Sequence, residues 1–339
     1  MATYSAVFDV IGLRDWCDAD KTMSLMSLKK LRGDVPSWYD VNFPSLDNLH
    51  EACSKIPQTR DMTAGLEDGF LAVRPALRFV LDPLTQPLSW MLDSALFLFT
   101  ETPWWILVPL ILFFCFKVSK SSKIVSLVAI FFGFFLFTDH YFYAVQTLAI
   151  IFVCTVICVL LGVPVGILMS KSDKTQRIIT PILDMLQTLP TFVYLIPLIF
   201  LFKITEPKLY GLAIILYAIV PVIRLTNLGI RLVDPAVIEA ANAYGLSNRQ
   251  RLFGVEIPLA LPNIMAGVNQ TIMMSLAMVV IASLVSAPGL GTLVLDGINN
   301  LRLGVGFVAG FAIVLLAIIL DRVSKAALAR VNSSQSESE

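Results

Sequence analysis

The stretch DPAVIEAANAYGLSNRQRLFGVEIPLALP (residues 234–262) lies between two long apolar runs, and its punctuation can be read residue by residue. Asp234 is a good N-cap, and Pro235 suits the first helical position, where the missing N–H would be unpaired anyway. Gly245 stands where a glycine ends a helix in the left-handed conformation. Ser247, with Gln250 three residues on, forms a capping box that opens a second helix. Pro258 and Pro262 then bring that helix to an end or a bend. The segment therefore predicts two short helices hinged at a glycine.

Outward from this loop the chain is apolar. It has 339 residues, 57% of them hydrophobic and 15% charged, with a mean hydropathy of +0.78. A soluble domain is nearer a quarter charged, so the composition points to the membrane. The net charge of zero gives no footing for a nucleic-acid partner. Charge-free windows fall at 102–116, 124–138, 141–170, 185–202, 209–223, 257–295 and 303–320. A helix needs about 20 residues to cross the hydrocarbon. The shorter windows therefore rely on Lys117, Lys123 and Lys208 snorkelling to the interface. The 257–295 window is too long for one span, and Ser-Ala-Pro-Gly-Leu-Gly (286–291) marks where its helix ends. The expectation is an all-α integral membrane protein with about seven transmembrane helices.

Basic residues alternate loop by loop. Lys117, Lys120, Lys123, Lys171, Lys174, Arg177, Arg231, Arg249, Arg251, Arg322, Lys325 and Arg330 fall on one side, against Lys203, Lys208 and Arg302 on the other. By the positive-inside rule the C-terminus is cytoplasmic, and seven spans put the N-terminus outside. Residues 1–100 then form an external tail, with nine Lys and Arg against fourteen Asp and Glu through Glu101. Its 69–99 segment, with three prolines, reads as short amphipathic helices on the outer interface, with Trp90, Trp104 and Trp105 at headgroup level. Residues 101–326 form the transmembrane domain and 327–339 a polar cytoplasmic tail, frayed from 331 on.

Glu239-Ala240-Ala241, then Gly245, then nine residues, then Val255-Glu256-Ile257-Pro258 resembles the EAA loop of ABC importer permeases. The spacing fits without a gap; Val255 and Ile257 are apolar exchanges from that pattern. The likeness narrows over DMLQTLPTFVYLIPLIFLF (184–202), PVIRLTNLGI (221–230), PNIMAGVNQTIMMSLAMVVIASLV (262–285) and AIVLLAIILDRVSKA (312–326). These resemble the glycine betaine/proline permeases of osmoprotectant importers, over about residues 85–326. The resemblance implies a type I importer transmembrane domain whose loop docks on a separate ABC ATPase subunit. It also implies a homodimer in the bacterial inner membrane and a periplasmic or extracellular binding protein that delivers a small zwitterionic or quaternary-amine solute. Glu239, Ala240, Ala241, Gly245, Val255, Ile257 and Pro258 would carry the ATPase contact. The same loop would serve another solute, such as trimethylamine N-oxide or an amino acid.

Catalysis has nothing to stand on here. None of the 18 glycines is followed by lysine, so no phosphate-binding GxxxxGK[ST] loop exists, and ATP belongs to the partner. The two histidines, His50 and His140, join no nucleophile. Cys17, Cys53, Cys115, Cys154 and Cys158 form no CxxC pair and read as small buried hydrophobes rather than metal ligands. An ion-coupled transporter would need midplane acids in an inverted repeat, which the sequence lacks. Asp184 and Arg224 read as an ion pair between two spans. Phe192, Tyr194 and Phe200 could meet a quaternary ammonium by cation–π attraction, and Asn269 and Gln270 bond across helices or line the path.

Overall fold

A computed structural model of the chain describes residues 8, 10–12, 53 and 59–336. Expectations for the rest of the N-terminal tail and for residues 337–339 lie outside the described residues. The chain divides into two compact units, Met1–Phe79 and Val80–Glu339. Within the first, Cys53 is buried and disulfide-bonded, not merely a small hydrophobe as expected.

Regular structure among the described residues is helical. The helices are α1 (Thr59–Glu101), α2 (Trp104–Ser119), α3 (Ser122–Phe137), α4 (Tyr141–Lys171), α5 (Asp173–Thr188), α6 (Leu195–Leu201) and α7 (Pro207–Arg231), followed by α8 (Pro235–Ala243), α9 (Asn248–Arg251), α10 (Ile257–Ala282), α11 (Leu290–Asn299) and α12 (Leu303–Ser336). The turns Thr191–Tyr194 and Ser283–Val285 are 3₁₀, and Leu252–Glu256 is a π turn. By length and apolarity four helices can cross a membrane, or six if each of two bent pairs counts as one span. The bent pairs join α1 to α2 at 112° and α5 to α6 at 106°; α3, at 16 residues, is a shorter apolar helix. Five of the seven charge-free windows fall on a single helix each, whereas 185–202 straddles α5 and α6 and 257–295 runs from α10 into α11.

A stripe of small residues on α4 sets the core. Cys154, Cys158, Gly162 and Gly166 recur every four residues, so they share one face. The two thiols point at the carbonyls of Gly211 and Ile215 on α7, at 4.0 and 3.9 Å. A Cβ on Gly162 would come within 2.5 Å of Val222, and one on Gly166 within 2.6 Å of Thr226. Close backbone approach through such stripes gives membrane helices the dispersion contacts that lipid cannot supply selectively. The contacts advance in the same direction along both helices, so α4 and α7 run parallel. Both end together, where Arg231 donates to the Met169 carbonyl at 3.1 Å and to Asp173 at 2.6 Å. Antiparallel α10 packs on α7 through Gly229, beside Ala260 and Asn263, and through Gly267, beside Pro221 and Val222.

Parallel α4 and α7 require the chain between them to return across the bundle. The only segment available is α5, the 3₁₀ turn and α6, so the fourth span is broken rather than one helix over 185–202. The break falls at Leu189 (φ −67°, ψ 133°), where the following Pro190 disfavours the helical region. Pro103 likewise stands at the bend between α1 and α2, whereas Pro164, Pro181, Pro221 and Pro262 lie inside α4, α5, α7 and α10 without breaking them.

Three further expectations are corrected. The 69–99 segment is part of one helix, α1, that continues through Pro75, Pro83 and Pro87. Buried Leu88 and Leu92 pack against Gly211 of α7, which holds the turns after Pro83 and Pro87 in register. Lys208 does not snorkel; it is buried, 2.6 Å from Asp82 and over the Phe202 ring, contacts that offset the loss of water. The chain does not fray at 331, since α12 is helical to Ser336. The break after α10 lies where Ser-Ala-Pro-Gly predicts it, with Ser286 at φ 68° and Gly289 at φ 124°.

Candidate functional site

The 234–262 segment folds as its punctuation requires. The Asp234 carboxylate accepts from the Ala236 N–H at 2.9 Å, and Pro235 opens α8. At the other end Gly245 takes φ +76°. Its N–H bonds the Asn242 carbonyl at 2.9 Å, and the Leu246 N–H bonds the Ala241 carbonyl at 3.2 Å, the paired closure of a Schellman turn. The capping box is complete: Ser247 N–H donates to the Gln250 side chain at 2.9 Å, and Gln250 N–H to the Ser247 hydroxyl at 3.4 Å. α9 then runs through the π turn directly into α10, with Pro258 in the first turn of α10. The second short helix therefore does not end at Pro258. A proline crowds the carbonyl four residues back, and the wider π turn just before it relieves that crowding.

The loop presents a mixed surface. Glu239, Ala240, Gly245 and Pro258 are exposed, Val255 and Ile257 are half-buried, and Ala241 is buried. Around them stand exposed apolar side chains, Val237, Tyr244 (88% exposed) and Phe253 (67%). Large apolar groups around a small-residue patch are what a docking surface needs.

Behind that surface is a feature the sequence reading passed over. Glu256 is buried and pairs with Lys171, at the end of α4, and with Nε of Arg251 at 3.0 Å. Arg251 Nη1 also donates to Asn242 of α8 at 2.7 Å. The available signal was chemical: Glu256 is a carboxylate flanked by apolar residues, five positions after Arg251 in the same loop. Arg330 donates to the Lys117 carbonyl at 2.8 Å. With the Arg231 contacts, this gathers the basic loops at one end of the bundle.

The substrate-path candidates do not form one cluster of open side chains. Phe192 and Phe200 are exposed, whereas Tyr194 is buried with its hydroxyl donating to the Leu186 carbonyl. Asn269 accepts from Ser324, tying α10 to α12, and Gln270 is exposed. Asp184 and Arg224 do pair, joining α5 to α7. At the opposite end Asp296, half-buried, and Arg302, exposed, stand 3.8 Å apart. Among the described residues no group of His, Cys, Asp or Glu side chains could hold a metal ion.

A broken-span helical bundle with a capped two-helix loop exposed at its basic end defines the class: the membrane subunit of a transporter. The fold agrees with a solved structure of the MetNI methionine ABC transporter in an inward-facing conformation. The TM-score is 0.51 at 19% identity, covering 56% of this chain and 94% of that one. The family described as "Binding-protein-dependent transport system inner membrane component" matches residues 159–333. The chain belongs to that family, and is thereby a multi-pass inner-membrane protein and a non-catalytic component of its system. The glycine betaine transport system permease protein OpuAB of Bacillus subtilis is 47% identical over 195 residues, 56% of this chain and 68% of that protein. The glycine betaine/proline betaine transport system permease protein ProW of Escherichia coli is 48% identical over 184 residues, 54% of this chain. That match spans only 51% of ProW's length.

Proposed function

We propose that this chain is the permease subunit of an ATP-driven importer for a quaternary-amine osmolyte of the glycine betaine type. It works as a homodimer in the lipid bilayer, with a separate ABC ATPase and an outer binding protein. The observation that carries the reading is the exposed loop Asp234–Pro258, whose capped helices and Gly245 turn match the EAA pattern, in a chain 47% identical to one glycine betaine permease over 56% of its length and 48% identical to another over 54%.

In this reading Glu239, Ala240, Ala241, Gly245, Val255, Ile257 and Pro258 form the lever that the ATPase grips. Closure of the ATPase pair swings it and opens the path alternately to each side. Residues 101–326 are the transporting domain, 1–100 an external tail on the outer interface and 327–339 a cytoplasmic end. The alternation of basic loops supports that orientation, and a disulfide at Cys53 fits an oxidising side. The Asp184–Arg224 pair supports the dimer and the path. Both side chains are about half exposed in the single chain, and ions at membrane depth face protein or water rather than lipid. Phe192, Phe200 and Gln270 would then border the path, with Tyr194 and Asn269 bracing it.

The test is uptake into proteoliposomes that hold this chain with its ATPase and binding protein. Labelled glycine betaine is expected to accumulate only with all three and ATP, ahead of trimethylamine N-oxide, an amino acid or a neutral sugar. Accumulation driven by a sodium or proton gradient through this chain alone would overturn the reading.

A further inference from the structure

The loop is joined covalently to α7 and α10 only, yet its buried ion cluster reaches a third span. Glu256 takes Lys171 from the end of α4 and Arg251 from within the loop, while Arg251 also holds Asn242 on α8. Removing a carboxylate from water is costly even when it is paired, and apolar residues in place of a whole buried ion cluster often stabilise such a site as well or better. A cluster of this kind is best explained by the geometry it specifies. α4 carries the small-residue stripe that packs on α7, so a tie to Lys171 leads into the centre of the bundle.

We propose that Glu256 is a positioning residue that makes the coupling loop and α4 move as one body. A displacement imposed on the exposed loop then enters α4 through the Lys171 pair as well as α7 and α10 through the backbone. Without the pair the loop pulls on its two covalent neighbours alone, and ATP closure is only weakly converted into movement of the path. The inference rests on the loop being the ATPase contact.

The experiment uses the reconstituted complex and measures glycine betaine moved per ATP hydrolysed, with assembly followed by size-exclusion chromatography. Glu256→Gln and Lys171→Gln are each expected to lower that ratio by about fivefold or more while the ATPase stays bound, the lower range of energetic coupling between sites. The double variant is expected to be no worse than either single, because both remove one joint. Lys171→Arg should restore the ratio to near the parent value, which a role in bulk packing would not explain. An unchanged ratio in Glu256→Gln, or additive losses in the double variant, overturns the proposal. If Glu256→Gln does not assemble, Lys171→Gln, on a side chain 37% exposed, decides alone. Tyr244→Ala separates the two ideas. Should it leave both assembly and ratio intact, the ATPase-contact reading itself fails. If it disrupts them while Glu256→Gln does not, only the joint is refuted.

Discussion

Replacing Gly245 isolates backbone conformation from contact. Its φ is +76°, and a Cβ built there meets nothing within 4 Å. Substitution therefore carries no steric term within this chain, only the left-handed backbone cost, roughly 1–2 kcal/mol for an ordinary L-residue. Asparagine tolerates this region, alanine bears the ordinary cost, and a β-branched side chain bears more. If valine forces the turn open, the Gly245–Asn242 and Leu246–Ala241 backbone bonds go with it, each worth about 1 kcal/mol. A loss of 1–2 kcal/mol shifts the intact turn against its open form by about 5–30-fold. The expected order of coupled uptake is Gly ≈ Asn > Ala > Val, with the complex still assembling and ATP hydrolysis less affected than transport. Uptake in proteoliposomes, beside hydrolysis by the same vesicles, reads this directly. Normal transport by Gly245→Val would refute the hinge. An asparagine variant as poor as valine would move the glycine's role from conformation to close approach by the partner.

Gly166→Leu should force α4 and α7 apart, because its Cβ would sit 2.6 Å from Thr226 and 2.7 Å from the Ile223 carbonyl. Overpacking of this kind costs about 1–3 kcal/mol or more, so detergent-solubilised variant should lose its monodisperse peak at a lower temperature. Gly133→Leu, whose Cβ meets nothing within 4 Å, should not, and equal behaviour of the two would refute the stripe. For orientation, a cysteine at Ser247, which is exposed, should react with an impermeant maleimide only after the cytoplasmic face is opened, in a cysteine-free background. One at Ser45 should react in intact cells, and reversed labelling would invert the topology.

What the sequence made legible was local chemistry, and what it hid was direction and distance. Asp234, Gly245, Ser247 and Gln250 act on backbone groups no more than five residues away, so their spacing suffices to write the loop. The fourth span shows the opposite case. Apolarity over 185–202 sums side chains and is blind to the backbone turning by 106° near Pro190. The proline was visible, but α1 runs through three prolines unbroken and α4, α5, α7 and α10 through one each, so proline alone does not decide. The deciding observation is that α4 and α7 are parallel, a fact carried by contacts between residues 57 apart such as Cys154 and Gly211. Ion pairs follow the same rule. The Lys208–Asp82 and Lys171–Glu256 partners are 126 and 85 residues apart, so each charge read alone looks like an interfacial or solvated group. The two capped helices of the loop could thus be read from sequence because they are built from one segment. Their connection to the bundle could not, because that connection exists only where α4 returns to the same end as the loop.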